Sequence, residues 1–492
     1  MAERNLKALL APWCQLDSDI TVSELVLDSR KAGPGTAFVA IPGHRLDGRD
    51  FINAALGQGV GAVISEGEAG VIHHGAVPEV RIPDLRRRLS ALALRFYGEP
   101  ALKAVGVTGT NGKTTTSQLL AQLCEAQQIP AGIIGTLGWG RWGQLTPSLN
   151  TTPDAIGVAA TLAELDRQGC QVAAMEVSSH ALSQGRVSAV PFRLAIFTNL
   201  SRDHLDYHGT MGAYAAAKAQ LLDWPSLDAA IINLDDPIGE AWIRERKGDQ
   251  KVVAYSLAPI PAEVAEHRLW LENIRFHLGG VTADVAGSYG EAVITSPLVG
   301  RFNLYNLLAA MAAGLELGLP LGHLAAAAST LRSVDGRMQT FTAPGKPMVV
   351  VDYAHTPDAL AQALAALRPH CRGRLWCLFG CGGDRDPGKR PEMAAVVERQ
   401  ADQGLITADN PRSEAVETII QQMLAGCRYG EAMTVEPDRR LAIRKAIAEA
   451  GPDDVVLIAG KGHEDYQEIA GERLPFSDID EVQLALAEGT TC

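Results

Sequence analysis

The stretch ALKAVGVTGTNGKTTTSQLLAQL, residues 101–123, decides the fold. A short apolar run of strand type enters a Gly/Thr loop, and an apolar pattern at helical spacing follows it. A loop of that kind presents backbone N–H groups to phosphate, and the N-terminus of the helix behind it adds positive potential. In Thr108-Gly109-Thr110-Asn111-Gly112-Lys113-Thr114-Thr115, Lys113 is placed to reach terminal phosphates as a point charge and the Thr114 hydroxyl to hold Mg²⁺. Val107 stands where the first glycine of G-x-x-x-x-G-K-[ST] belongs, so the motif is a variant P-loop. A structural strand–turn–helix corner is the plainer alternative. Lys-Thr at the very start of the helix favours phosphate.

Outward from the loop the same alternation continues in both directions. Upstream, LVLDSR, TAFVAIPG, GVGAVIS and VPEVRIP read as short strands, with FINAALGQG and RRRLSALALRFYG as helices. Downstream, CQVAAMEVS, RLAIFTNL, AAIINLD and VVAYSL read as strands separated by helical stretches such as DAIGVAATLAEL. A third set begins after the turn SVDGRMQ, with PMVVVDYA, RLWCLFGC, QGLITAD and DVVLIAG. Strands alternating with helices predict mostly parallel, doubly wound sheets. The chain is therefore expected to be α/β, with three α/β domains over 1–86, 87–333 and 334–492, in line with 492 residues at about 150 per domain.

Composition narrows the function. Lys+Arg 44 against Asp+Glu 57 leaves a net charge of −13, which argues against binding nucleic acid through a broad basic surface. With 47% hydrophobic and 21% charged residues the chain has the balance of a globular protein. No apolar run reaches about 18 residues, so no membrane span is expected. The start MAERNLKALLAPW lacks the features of a secretory signal, and a cytosolic location is expected. The eight cysteines are scattered, with no C-x-x-C pair, which predicts reduced and mostly buried thiols.

Further polar segments end the predicted strands, at the edge where doubly wound sheets bind ligands. Met175-Glu176-Val177-Ser178-Ser179-His180 and the Asn199–His208 segment place a carboxylate, Glu176, and an imidazole, His204, beside the P-loop. These could ligate magnesium or order its water; helix caps and loops are the alternative. In the third set, Gly380-Cys381-Gly382-Gly383-Asp384-Arg385-Asp386 is a loose glycine run, a weak dinucleotide signal. Asp409-Asn410-Pro411-Arg412 and Gly460-Lys461-Gly462-His463-Glu464 end two more strands. Guanidinium forks suit carboxylates and Glu464 suits an ammonium, so a zwitterionic amino acid fits, although each segment alone could be an ordinary turn. Asp352 and His355 could touch nucleotide or merely close a strand end. Asn303 and Asn306 could meet an adenine edge or cap a helix. Lys218, in AYAAAKAQLL, reads as a solvated helix lysine without a role.

Taken together, TGTNGKTT, MEVSSH, FTNLSRDHLDYHG, the AYAAAK helix, GRFNLYN, VDYAHTPDAL and GCGGDRD resemble the Mur ligases, ATP-dependent amide ligases of peptidoglycan synthesis. The resemblance runs in order over nearly the whole chain. Asp409-Asn410-Pro411-Arg412 looks like the signature of members that add meso-diaminopimelate; lysine-adding relatives depart from it at the arginine. The resemblance implies a central P-loop ATPase-like parallel sheet and a C-terminal Rossmann-like domain that binds the amino acid.

It also implies roles for particular residues. Leu27, Ser29, His44, Arg45 and Leu46 would hold the uridine diphosphate end of the substrate. Asn150, Thr151, Thr152, Ser178, Gln184 and Arg186 would hold its muramoyl-dipeptide. Gly109, Thr110, Asn111, Gly112, Lys113, Thr114 and Thr115, with Asn303, Asp352 and His355, would bind ATP. Thr114, Glu176 and His204 would hold Mg²⁺. Lys218 would be carbamylated, giving an anionic group that helps position the metal, and would act in catalysis with Lys113, Glu176 and His204. Arg385, Asp409, Asn410, Pro411, Arg412, Gly460 and Glu464 would grip diaminopimelate. The implied reaction activates the D-glutamyl γ-carboxylate of UDP-N-acetylmuramoyl-L-alanyl-D-glutamate as an acyl phosphate, which the amine of diaminopimelate then attacks. Partners are expected to be small molecules only, with no nucleic acid, and the protein to be a monomer. A folylpolyglutamate-type synthetase shares the GTNGK loop and the acyl-phosphate logic. A P-loop switch or motor is the alternative from another class.

Overall fold

The segment Thr36–Ala40 is buried at every position, the pattern of a strand whose sheet is covered on both faces. Ala37 and Val39 face a layer formed with Leu89, Leu92 and Phe96 of the helix Leu85–Tyr97. Phe38 and Ala40 face the opposite layer, with Ala55 and Val60, as alternation along a strand requires. The sheet is ordered Glu24–Val26, Thr36–Ala40, Ala62–Glu66, Val77–Ile82, Gly70–His74. Its strands run parallel except for Gly70–His74, an antiparallel edge.

The structure, a computed structural model, describes residues 3–488 apart from 18, 44, 45, 249 and 429–431. The chain divides into two compact units, Met1–Val253 and Ala254–Cys492. The first holds the sheet above and a larger one, ordered Gly138–Arg141, Ala131–Gly135, Val172–Glu176, Lys103–Thr108, Phe192–Phe197, Ala229–Asn233. All its pairings are parallel except that of Gly138–Arg141. The register sets Glu176 opposite Val107 and Phe197 opposite Thr108. Three strands therefore end level, and the loops that follow them share one carboxyl edge.

The helix Leu85–Tyr97 completes the N-terminal core, together with Ala155, Ile156 and Ala159 of the helix Ala155–Arg167. The helix Leu85–Tyr97 begins one residue before the domain boundary expected at 86. Its apolar stripe packs backwards onto the preceding strands, a direction that periodicity alone does not reveal.

The second unit contains an antiparallel meander, His267–His277, Gly280–Gly287 and Ala292–Ser296, which the sequence reading missed. Charged residues on its exposed face dilute the apolar alternation. Helices Arg301–Glu316 and Leu321–Ala327 follow. A six-stranded sheet is then ordered Gln339–Phe341, Met348–Asp352, Val455–Ala459, Leu375–Phe379, Gln403–Ile406, Met433–Val435. Only Gln339–Phe341 runs antiparallel. Val349, Val351, Leu378 and Ile458 face one apolar layer; Val350, Cys377, Phe379 and Leu457 face the other.

The fold is α/β with mostly parallel sheets, as the strand–helix alternation predicts. Among the described residues no helix is long and apolar enough to cross a membrane. The described cysteines are free, with Cys124, Cys170, Cys377 and Cys381 buried.

Candidate active site

In the first unit the phosphate loop leaves its strand at Thr108 and enters the helix Lys113–Ala126. Gly109 has φ +148°, and a side chain there would overlap the Thr198 hydroxyl and crowd the Asn199 backbone, so only glycine fits. The Thr110 N–H donates to Asn199 O at 2.8 Å and Thr198 Oγ1 donates to Asn111 O at 2.6 Å, stitching the loop to the next strand end. Lys113 Nζ donates to Gly109 O and Thr110 O, both at 2.9 Å. The ammonium is thus folded over its own loop. Burial lowers its pKa, and the charges of Glu176 and Asp203 oppose that shift.

Glu176 is buried at the end of its strand. Its Oε2 accepts from Thr114 Oγ1 at 2.9 Å and from Thr136 Oγ1 at 3.2 Å, and its Oε1 accepts from the Thr136 N–H at 2.8 Å. Burial raises its pKa, partly offset by the Thr136 N–H and Lys113. His204 has φ +51° and makes no side-chain cap bond, so the capping alternative fails for it. Its Nε2 lies 3.5 Å from Asp203 Oδ2, and its ring centre lies 4.9 Å from that of His180. Ser178, by contrast, does cap its helix, accepting from the Ala181 N–H at 3.2 Å.

Among the described residues no three His, Cys, Asp or Glu side chains gather as a cation cage. A hydroxyl and a carboxylate in contact beside a phosphate loop nevertheless fit Mg²⁺. That ion keeps several waters and takes much of its coordination from substrate phosphates.

Lys218 overturns its sequence reading. Its residue is 1% exposed, and Nζ donates to Gly109 O at 2.7 Å and sits 4.6 Å from the centre of the Tyr214 ring. Burial, with repulsion from Lys113 second, brings its pKa down to about 6 against the pull of Asp203. The alanines around it give the helix no polar face from which burial could be judged.

A cavity of about 580 Å³ is lined by Leu27, Ser29, Val39, Ile41, Leu46 and Phe51. A neighbouring cavity of about 240 Å³ shares Leu27 and Ile41 and reaches Arg86, Asn150, Gln184 and Arg186. Residues assigned to opposite ends of the nucleotide substrate thus line adjoining spaces. His44 and Arg45 lie outside the described residues; Leu46 is 69% exposed. Thr152 Oγ1 donates to Glu176 O at 2.8 Å and accepts from the Ser178 N–H at 3.0 Å. Arg186 donates to Thr152 O at 2.9 Å and to Gln184 Oε1 at 2.9 and 2.7 Å. Thr151 and Thr136 hydroxyls meet at 3.0 Å. Sequence reasoning missed Arg86, Phe51 and Thr136. Arg86 opens a run of three arginines, and nothing local marks which of them faces inward.

In the second unit three predicted loops do meet. The Gly383 N–H donates to Asn410 O at 2.9 Å, and Arg412 NH1 donates to Gly383 O at 2.8 Å. Asn410 Nδ2 donates to Glu464 Oε2 at 2.9 Å. Gly460 has φ +122°, and a side chain there would collide with the Asp409 carboxylate. Pro411 lies between Asn410 and Arg412 and is buried, while Arg385 is exposed on the glycine loop. The dinucleotide reading of that loop fails. Residues 380–388 separate the strand from the helix Lys389–Gln400, so no helix N-terminus lies at the glycines.

Arg439, also missed, is buried and pairs with Asp478 through two contacts of 2.7 Å. It donates to Ala408 O at 3.2 Å and Ala459 O at 3.0 Å, pinning the two strand ends that precede Asp409 and Gly460. Asp352 accepts from the Met338 N–H at 2.8 Å and the Ala354 N–H at 2.9 Å, and burial raises its pKa. His355 is exposed, its Nδ1 2.8 Å from Tyr353 O. Asn303 is buried within its helix and donates to Val299 O at 2.9 Å. Gly300 occupies the cap position, so Asn303 and Asn306 are not caps.

The first unit carries a phosphate loop backed by a buried glutamate and the second a polar loop cluster, and the chain belongs to the Mur ligase family. It matches the Mur ligase family catalytic domain over residues 21–97, the Mur ligase middle domain over 107–314 and the Mur ligase glutamate ligase domain over 336–462. It is 52% identical over 476 residues to UDP-N-acetylmuramoyl-L-alanyl-D-glutamate–2,6-diaminopimelate ligase of Pseudomonas aeruginosa, covering 96% of each chain. Against the ligase of the same name from Vibrio vulnificus it is 48% identical over 489 residues, covering 98% of each. A solved structure bearing that name superposes with a TM-score of 0.79 at 38% identity, covering 99% of both chains.

Proposed function

We propose that the chain is an ATP-dependent, ADP-forming ligase. It joins meso-diaminopimelate to the D-glutamyl γ-carboxylate of UDP-N-acetylmuramoyl-L-alanyl-D-glutamate, in cytoplasmic peptidoglycan precursor synthesis. The observation that carries this reading is 52% identity over 96% of the chain to a ligase named for that reaction. Domains over 1–86, 87–333 and 334–492 and a monomeric state belong to the same proposal.

A γ-carboxylate oxygen of the D-glutamyl residue attacks the γ-phosphorus of ATP, the bond to the bridging oxygen breaks, and ADP leaves an acyl phosphate. Lys113 offsets the negative charge that gathers on the transferred group. Mg²⁺, held by Thr114 and Glu176 with His204, would supply further charge neutralisation on the phosphates when bound. Lys218, with a pKa of about 6, is a free amine at neutral pH. It can add CO₂ with loss of a proton to give the anionic carbamate. The amine of diaminopimelate then attacks the activated carbonyl, and the tetrahedral intermediate expels phosphate. Arg385 and Arg412 hold acceptor carboxylate, Glu464 meets an ammonium, and Asp409, Asn410, Pro411 and Gly460 shape the loop around them. Alignment of amine and acyl phosphate is mainly a positioning task. The uridine diphosphate end lies along Leu27, Ser29 and Leu46, and the peptide end along Asn150, Thr151, Thr152, Ser178, Gln184 and Arg186. Asn303, Asp352 and His355 are proposed to complete the ATP site.

The test is phosphate release from ATP and the nucleotide dipeptide, with meso-diaminopimelate or L-lysine added in parallel. Release with diaminopimelate and little with lysine is expected. Release with lysine instead would move the acceptor, and release independent of either would overturn the ligase reading.

A further inference from the structure

Lys461 is a buried ionisable group of the second unit. Its side chain is 0% exposed, and a charge so placed persists only with close partners. Nζ donates to Asn410 Oδ1 at 3.0 Å and to Glu464 Oε2 at 3.1 Å, with the centre of the Tyr466 ring 5.4 Å away. Asn410 Oδ1 also accepts from the Glu468 N–H at 2.9 Å. Two donors on that oxygen fix the amide, so its nitrogen must face Glu464, where Nδ2 donates to Oε2 at 2.9 Å. Lys461 and Asn410 both donate to Oε2 of Glu464, which leaves Oε1 as the oxygen available to a ligand's N–H.

We propose that Lys461 is a positioning residue for the acceptor. It fixes the Asn410 amide and the Glu464 carboxylate so that they meet the amino-acid head group at the distal end of the acceptor, and so favours that end over a bare alkylammonium. The role rests on the acceptor site proposed above. An apolar side chain of the same length would fill the space yet offer no donor. Asn410 Oδ1 would then keep only the Glu468 N–H and Glu464 Oε2 only Asn410 Nδ2, so each group would lose one of the two donors that hold it.

The test uses the full-length enzyme with ATP and nucleotide dipeptide saturating, varying meso-diaminopimelate and L-lysine in turn, on the wild type, Lys461→Met and Lys461→Arg. In Lys461→Met the diaminopimelate KM is expected to rise about tenfold or more. The ratio of kcat/KM for diaminopimelate over lysine should fall by a similar factor, with the ATP KM within about twofold of the wild type. Lys461→Arg keeps donors at a shifted position and should fall between the two. A double-mutant cycle with Asn410→Leu should be non-additive, because the lysine acts through that amide. If Lys461→Met loses its cooperative unfolding transition, Lys461→Arg carries the test, and an unchanged acceptor KM there overturns the proposal. Acceptor-dependent turnover in the wild type with unchanged KM and selectivity in a folded Lys461→Met would sink the role of Lys461 alone. Wild-type turnover independent of acceptor would instead sink the ligase reading.

Discussion

At the scale of single residues the chemistry depends on charges removed from water. Lys218 has its pKa lowered to about 6 by burial, so the neutral amine prevails above that pH and the protonated form below it. A CO₂ adduct detected by ¹³C NMR with labelled bicarbonate is therefore expected to grow as pH rises through about 6 and to be absent in Lys218→Ala. That variant should lose activity by about 100-fold or more, with added bicarbonate restoring none of it. The linkage has a definite sign. Between the folded value of about 6 and the ordinary value of 10.5, the unfolded chain carries a proton that the folded chain lacks, so this lysine opposes folding at pH 7. Lys218→Met should accordingly be more stable in urea by about 1 kcal/mol or more while inactive. Arg412, with φ +52° and its guanidinium on Gly383 O, belongs to the loop proposed to hold the acceptor. Arg412→Ala should raise the diaminopimelate KM by about 100-fold and leave the ATP KM near its wild-type value. An unchanged diaminopimelate dependence would remove the arginine from the site.

At the scale of elements, the candidate sites are built where strand ends are locked level. The pairing of Glu176 with Val107 and of Phe197 with Thr108 sets the glutamate and the Thr198–Asn199 segment on either side of the phosphate loop. In the second unit Arg439 and Asp478 do the equivalent for the loops after Ala408 and Ala459. Both side chains of that pair are 0% exposed. Arg439→Met should cost about 3–5 kcal/mol in denaturant-induced unfolding, because it leaves Asp478 buried and alone. The double change Arg439→Met with Asp478→Leu should recover most of that loss, and failure to recover would mean that the carbonyl contacts of Arg439 dominate. The strands themselves were legible, since runs such as VAAME and VVLIA are apolar at successive positions. The meander and the hairpin of Tyr466–Ile469 with Glu472–Pro475 were not. Their exposed faces carry charge, and their register depends on turns.

At the scale of the whole molecule, ATP consumption should require both the nucleotide dipeptide and the amino acid. Added DNA or RNA should leave the rate unchanged, consistent with a net charge of −13; stimulation by nucleic acid would contradict this. What the sequence determined alone was whatever is written in local spacing: the phosphate loop, the strand–helix alternation, and the motifs that end the strands. Those signals survive because strand and helix period, loop glycines and helix starts act over a few neighbouring residues. Only the tertiary structure decided which charged side chains are buried. Lys218 among alanines, Lys461 between glycines and Arg439 beside another arginine look solvated in the text. Burial is set by groups that come from distant parts of the chain: the Gly109 carbonyl on Lys218, Asn410 on Lys461, and Asp478 on Arg439.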